Sequence, residues 1–308
     1  MSDLSDMSDE SEEGAMMPRS KNSVNAGGRK LPPWLRRSLP SGEAFERTAR
    51  VIAGLGLETV CTSANCPNRG VCWARNSATV MILGKICTRN CSFCAVEKGI
   101  PTPPDPTEPV RVGEMAALLE IDYFVITSVT RDDLPDGGAG AFGRCAEAVR
   151  RARPDTTVEL LTPDFARCRD EAVEILAAHL PFVFSHNIET VPQLYTSVRG
   201  GADYRGSLRL LAAAKERFGG GVAVKSSIML GLGESDEQVE ATLRDLRKAG
   251  CDGVTIGQYL KPSKDSLEVA GYVEPAKFEY WGRRAAELGF SAVSSEPFAR
   301  SSYLPARG

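Results

Sequence analysis

The sequence predicts an α/β chain folded as a partial (β/α)6 barrel of TIM type, with an extension at each end. Three observations predict it. From Thr79 onward, short apolar runs alternate with amphipathic stretches of helical period, the pattern of right-handed βαβ units and a parallel sheet. The alternation repeats six times, short of the eight units of a closed barrel. A group of cysteines follows the first apolar run directly, where parallel α/β folds keep their functional loops. A doubly wound open sheet accounts for the same alternation and is the structural alternative.

Taken in order, residues 1–28 predict a disordered acidic tail: residues 1–17 hold six carboxylates, no Lys or Arg and no aromatic residue. Residues 29–78 predict an N-terminal extension. In it, LPPWL at 31–35 reads equally as a linker or a docking segment. A helix is expected from near Ser41 to Gly54 or Gly56, followed by a loop containing Pro67, Asn68 and Gly70. The barrel is expected over 79–290, with strands at Thr79–Gly84, Ile121–Ser128, Thr157–Leu161, Phe182–His186, Val222–Leu230 and Gly253–Gln258. Helices are expected near 110–120, 140–152, 169–179, 205–218, 236–249 and 275–288. Ser235 and Gln238 form a capping box at the start of one of them. Gly250 and Gly289 stand where glycine ends a helix. Residues 291–308 form the C-terminal segment.

Composition excludes several classes. No apolar run approaches the roughly 20 residues that span a bilayer. The acidic N-terminus is neither a secretory signal nor an Arg-rich presequence. Setting aside the six tail carboxylates turns the net charge of −3 into +3 for residues 18–308, too mild for a nucleic-acid patch. That mild surplus suits an acidic protein partner. Nine cysteines without an export signal point to a reducing, cytoplasmic setting, where clustered thiols hold metal more often than they form disulfides.

Six of those cysteines fall within 34 residues, in two differently spaced triplets. Cys87, Cys91 and Cys94 have the spacing C-x3-C-x2-C. Thiolates suit iron–sulfur clusters and zinc. A structural zinc site usually takes four ligands in two short-spaced pairs, so three fit better a cubane cluster with one open iron. Phe93 is placed to shield it. Cys61, Cys66 and Cys72 (C-x4-C-x5-C) have no usual zinc spacing and suggest a second cluster. Cys145, Cys168 and Cys251 stand apart as core or surface thiols.

The second triplet resembles that of the radical S-adenosylmethionine (SAM) superfamily. The resemblance implies a cluster on Cys87, Cys91 and Cys94 whose open iron chelates SAM, and whose electron cleaves it to a 5′-deoxyadenosyl radical. It also implies SAM contacts from the glycine backbone of Gly231 and Gly233 with Glu234, and from Asn187 and Glu189 in SHNIET. His186 reads first as structural. Thr127 to Asp133 (TSVTRDD) is rich in hydrogen-bonding groups. Lys225 is a charge inside a strand, expected to reach either outward or toward an anion in the site.

The run ETVCTSANCPNRGVCWARNSATVMILGKICTRNCSFC, with TSVTRDDLPDGGA, LTPDF, HNIETVPQLY, KSSIMLGLGE, GVTIGQYLKPS and Arg300-Ser301-Ser302-Tyr303, resembles the lipoyl synthase family over roughly residues 30–303. This resemblance implies a second, auxiliary [4Fe–4S] cluster on Cys61, Cys66 and Cys72, with Ser302, or else Ser301, as fourth ligand. The implied reaction inserts two sulfur atoms from that cluster at C6 and C8 of a lysine-bound octanoyl chain. The implied partners are an octanoylated lipoyl-carrier protein or domain, an electron donor such as ferredoxin or flavodoxin, and an iron–sulfur carrier, with neither nucleic acid nor membrane. A hydroxyl binds iron less firmly than a thiolate, which suits a cluster that is consumed. Cys87, Cys91, Cys94 and Ser302 are the implied catalytic set. Two departures from the family pattern stand out: Ser266-Leu267-Glu268-Val269 after GQYLKPS, and Glu296 before Pro297.

Overall fold

A computed structural model describes residues 31–37 and 41–302. The expected acidic tail and Tyr303 lie outside the described residues. Leu35 of the LPPWL segment is buried, whereas Trp34 is at the surface.

Helix α1 (Glu43–Gly54) buries Thr48 and Ile52 and ends before Gly56, at φ +58°. The Thr48 hydroxyl donates to the carbonyl of Trp73 at 2.8 Å, tying α1 to the first cysteine segment. That segment is not the loop its turn formers suggested. Thr59 caps a short helix α2 (Val60–Ser63) by accepting from the Thr62 amide, and Asn68 opens α3 (Arg69–Trp73). The turn formers Pro67 and Asn68 therefore lie between two helical turns, and Gly70 lies within α3.

The main sheet contains β1 (Val80–Ile82), β4 (Tyr123–Ser128), β5 (Thr157–Leu161), β6 (Val183–Ser185), β7 (Val224–Leu230), β8 (Gly253–Gln258) and β9 (Ala292–Ser295). A separate parallel ribbon of β2 (Ile86–Cys87) and β3 (Glu97–Lys98) encloses the second triplet. Strand order in the main sheet is β1-β4-β5-β6-β7-β8-β9, every neighbouring pair parallel. The order follows the chain without reversal. A doubly wound sheet would reverse at a switch point, so the architecture is the partial barrel. Among the described residues β1 and β9 do not pair, which leaves it open.

Helices α4 (Glu108–Leu118), α5 (Ala139–Ala152), α6 (Arg169–Ala177), α8 (Tyr204–Phe218), α9 (Asp236–Lys248) and α10 (Pro275–Glu287) each follow one strand, which makes six βα units; a short α7 (Tyr195–Val198) precedes α8. The Ser235–Gln238 capping box is formed. Gly250 and Gly289 adopt φ +86° and +91° at helix ends, as expected of C-terminal caps.

Strand β9 was not expected. Residues 292–295 belong to the expected C-terminal segment, yet they pair with β8, Thr255 opposite Ser294. Each of the four is at least partly exposed, so no apolar run marks the strand.

Lys225 settles between its two expected destinations. Its Nζ meets Glu159 Oε2 at 2.5 Å, and the Tyr123 hydroxyl donates to the same carboxylate. Strands β5 and β7 are separated by β6, so this pair crosses the barrel interior. It lies toward the N-terminal ends of the strands, away from the cysteines, and forms a polar floor. Glu159 is fully buried. Burial, then the Glu159 charge, pushes the Tyr123 phenol up. No helix among the described residues is long and apolar enough to cross a membrane.

Candidate functional site

Cys87 ends β2, and Cys91 and Cys94 lie in the turn before β3. Backbone amides of Arg89 and Thr130 donate to Cys87 Sγ at 3.4 and 3.3 Å. Arg89 anchors this turn. Its guanidinium holds Asp132, with Nη2–Oδ1 at 2.9 Å, meets Asp164 at 3.2 Å and donates to the Gly201 carbonyl at 2.6 Å. Asp132 comes from TSVTRDD after β4 and Asp164 from LTPDF after β5, so one arginine ties the cysteine turn to two strand ends. The Arg89 hydrogen bonds hold the Asp132 carboxyl below its ordinary range. Gly200 is needed here because a Cβ would lie 2.9 Å from the Asn90 carbonyl. Phe93 packs against Val198, Leu232 and Tyr259.

The residues expected to contact a cofactor gather at the same strand ends. Asn187 and Glu189 follow β6. Glu189 adopts φ +68° and is stitched to β7 by its amide to the Ser227 carbonyl (2.9 Å) and by the Met229 amide to its own carbonyl (2.8 Å). Burial raises its carboxyl pKa, against the opposing pull of Arg199. Gly231 and Gly233 follow β7 at φ +96° and +112°. A Cβ on Gly231 would meet Gln258 Nε2 at 2.2 Å and the Gly271 carbonyl at 2.4 Å. Glu234 faces its own turn, its carboxylate accepting from the amides of Gly231 (2.6 Å) and Leu232 (2.9 Å). It therefore shapes the glycine backbone.

His186 is buried, Nδ1 against the Thr162 carbonyl (2.9 Å) and Nε2 against Ser207 Oγ (3.0 Å). Both ring nitrogens are partnered within the protein, which is the structural role expected. Burial pushes its pKa down to about 4.

Cys61 is buried in α2, Cys66 lies between the short helices and Cys72 in α3. Burial raises Cys61 to about 11, with the Cys66 charge adding to it. Burial raises Cys72 to about 12, with Cys61 and Cys66 adding and Arg37 and Arg75 opposing. The three thiols thus stand within electrostatic reach of one another. In the second triplet burial raises Cys91, and raises Cys94 to about 11. A buried thiol resists ionisation unless a cation stabilises the thiolate. Among the described residues no three His, Cys, Asp or Glu side chains are grouped to hold a single ion. A cubane cluster asks for something different, one thiolate for each of several irons, and the two thiol triplets fit that donor pattern.

The C-terminal segment reaches the first triplet from the far end of the chain. Asn68 Nδ2 donates to the Phe298 carbonyl at 2.8 Å. The Arg37 guanidinium stacks 4.0 Å over the Phe298 ring. Arg300 loses basicity to burial, while Cys66 and Glu189 act on it in the opposite sense. Ser301 Oγ accepts from Asn187 Nδ2 at 3.1 Å, and Ser302 follows, partly buried. Of the two departures, Glu296 is exposed, its backbone amide donating to the Ile256 carbonyl at 3.2 Å and its carbonyl accepting from the Ala299 amide at 2.9 Å. Glu268 pairs with Lys261 at the surface, while the Leu267 amide donates to the Ser92 carbonyl at 2.8 Å.

Several contributors carry little or no local signal in the sequence. Arg89 had the clearest signal, a cation between two cysteines of a metal-type spacing. Arg199 donates to the Asn187 carbonyl at 2.8 Å and opposes the burial of Cys91. Gly257 had no local signal, because its reason lies in the distant Ala299 carbonyl.

The profile of the radical SAM superfamily matches residues 81–257, and that of the N-terminal domain of lipoyl synthase matches residues 2–66. A lipoyl synthase of Methylococcus capsulatus is 52% identical over 272 residues, covering 88% of this chain and 84% of its own. That of Chlorobium limicola is 46% identical over 281 residues, 91% and 95% of the two chains. Among solved structures, methylornithine synthase matches with a TM-score of 0.53 at 14% identity, over 85% of this chain and 87% of that one. Streptococcus suis SuiB bound to S-adenosylmethionine matches with a TM-score of 0.55 at 14% identity, over 70% and 49%. These two likenesses are of fold. Membership of the superfamily implies a [4Fe–4S] cluster and SAM. The chain belongs to the radical SAM superfamily and, within it, to the lipoyl synthase family.

Proposed function

We propose that this enzyme inserts two sulfur atoms, at C6 and C8, into an octanoyl chain carried on a lysine of a lipoyl-carrier protein or domain. Cys87, Cys91 and Cys94 hold the cluster that binds SAM. Cys61, Cys66 and Cys72, with Ser302 as fourth ligand, hold an auxiliary [4Fe–4S] cluster. When bound, these groups supply the 5′-deoxyadenosyl radical and the sulfur.

The protein's own residues position and shield. Arg89 fixes the second cysteine turn through Asp132 and Asp164. Glu234 holds the backbone of Gly231 and Leu232 in place. Asn187 and Glu189 present polar groups to SAM, and Arg300 offsets negative charge beside Cys66. An electron donor such as ferredoxin or flavodoxin and an iron–sulfur carrier complete the partners, in a cytoplasmic setting. The observation that most supports this reading is the Asn68–Phe298 hydrogen bond, which sets the chain just before the two serines beside the Cys66–Cys72 stretch.

The test is a single turnover of the anaerobically reconstituted enzyme on an octanoyl-lysine peptide with SAM and a reductant, read by mass. The expected product gains two sulfur atoms and loses two hydrogens as the disulfide. Deoxyadenosine without sulfur gain would overturn the assignment and point to a divergent radical SAM enzyme.

A further inference from the structure

Asn187 joins two parts of the molecule 114 residues apart. Its Nδ2 donates to Glu189 Oε1 and to Ser301 Oγ, each at 3.1 Å. An ionised carboxylate only accepts, so with Glu189 charged and opposite Arg199 the nitrogen end of the amide faces it, and both amide protons are then used. The other end, Oδ1, is buried without a partner. The backbone around it has little freedom. Arg199 Nη1 donates to the Asn187 carbonyl at 2.8 Å, and Glu189 is held left-handed against β7. Such strained, over-determined backbone persists where the surroundings fix it, commonly at functional sites. On the far side, Ser301 is flanked by Arg300, which feels both Cys66 and Glu189, and by Ser302.

We propose that Asn187 is a positioning residue that couples occupancy of the SAM pocket to the C-terminal serine segment. A donor group of bound SAM satisfies the free Oδ1 and fixes the amide plane. The Nδ2 end of the same plane then holds Ser301, and with it Ser302, against the first triplet. The inference rests on the proposed placement of SAM and of the auxiliary cluster. Coupling of this kind is reciprocal: SAM steadies the serine segment, and the engaged segment tightens SAM binding by the same factor.

The test uses the full chain, reconstituted anaerobically and kept without reductant so that no turnover occurs. Iron release to a chelator is followed with and without SAM, in the wild type, Ser301→Ala and Ser301→Thr. In the wild type SAM slows release from both clusters. In Ser301→Ala it slows only the half belonging to the second triplet, and in Ser301→Thr, which keeps the hydroxyl, the full protection returns. SAM affinity, measured by equilibrium dialysis, weakens about fivefold or more in Ser301→Ala. That second readout stands even where the variant loses iron from its first triplet. An unchanged SAM affinity, or equal SAM protection in wild type and Ser301→Ala, overturns the coupling. A wild type that inserts sulfur but fails these tests refutes the coupling alone, whereas a wild type that inserts none refutes the proposed function.

Discussion

Asn68, two residues after Cys66, donates through Nδ2 to the carbonyl of Phe298 at 2.8 Å, spanning 230 residues of sequence. Asn68 and Phe298 are both buried. The first triplet and the C-terminal segment are therefore one structural unit. Asn68→Ala leaves a buried carbonyl without its donor, at a cost of about 1–3 kcal/mol. The expected result is iron at the second triplet alone, counted per chain after reconstitution. Full iron content in Asn68→Ala would contradict this account of the unit.

Gly257 leaves room for the same segment. A Cβ there would lie 2.1 Å from the Ala299 carbonyl and 3.0 Å from Arg300 Nη1. Overpacking of this kind costs about 1–3 kcal/mol, so Gly257→Ala pushes the segment from its seat. Sulfur insertion falls by about tenfold or more, while reductive SAM cleavage changes by less than about twofold. Parallel assays of lipoyl product and deoxyadenosine check this, and an equal loss of both would contradict it.

Arg89 is the counterpart at the second triplet. Asp164 is almost wholly buried, so Arg89→Ala strands its charge at a cost of about 3 kcal/mol or more. Lysine cannot span Asp132, Asp164 and the Gly201 carbonyl as a planar guanidinium does, so Arg89→Lys rescues only in part. The expected order of deoxyadenosine formation is wild type, then Lys, then Ala. The same order should appear in the electron paramagnetic resonance signal of the reduced second cluster.

The legible parts of this protein were those with local causes. The seven expected helices begin and end within two residues of their expected limits, because each is amphipathic and several carry caps such as Ser235 or Gly250. Strands β4 to β8 were read from apolar runs buried on both faces. The cysteines were read from spacing. What escaped depends on distant partners. Strand β9 is short and half polar, and it pairs where β8 offers a free edge. Glu159 and Lys225 neutralise each other across the barrel interior, which no local pattern records. The sequence points to Asn187 as a cofactor contact, yet its bond to Ser301 needs the tertiary structure.

His186 gives the fold a pH dependence. Its folded pKa, about 4, lies below the unfolded value of 6.5, so the neutral ring is the form that folding favours. Its contribution is complete above pH 6.5 and is lost as pH falls toward about 4, amounting to about 3 kcal/mol. Denaturant midpoints measured across that range should fall steeply in the wild type and less steeply in His186→Asn. Identical slopes would contradict this origin.

Ser302 separates cluster retention from cluster use. A thiolate holds iron more firmly than a hydroxyl. Ser302→Cys should therefore keep full iron content and SAM cleavage yet lose sulfur insertion. Undiminished lipoyl product from Ser302→Cys would contradict the role assigned to the hydroxyl.

On the proposed function the two triplets are unequal, one holding a lasting cofactor and the other a reagent. Mössbauer spectroscopy of iron-57-loaded enzyme, before and after one turnover on an octanoyl-lysine peptide, tests it most directly. The expected result is loss of the auxiliary signal, in step with sulfur gained by the peptide, while the signal of the Cys87, Cys91 and Cys94 cluster persists. Sulfur-bearing product with both signals undiminished would contradict it.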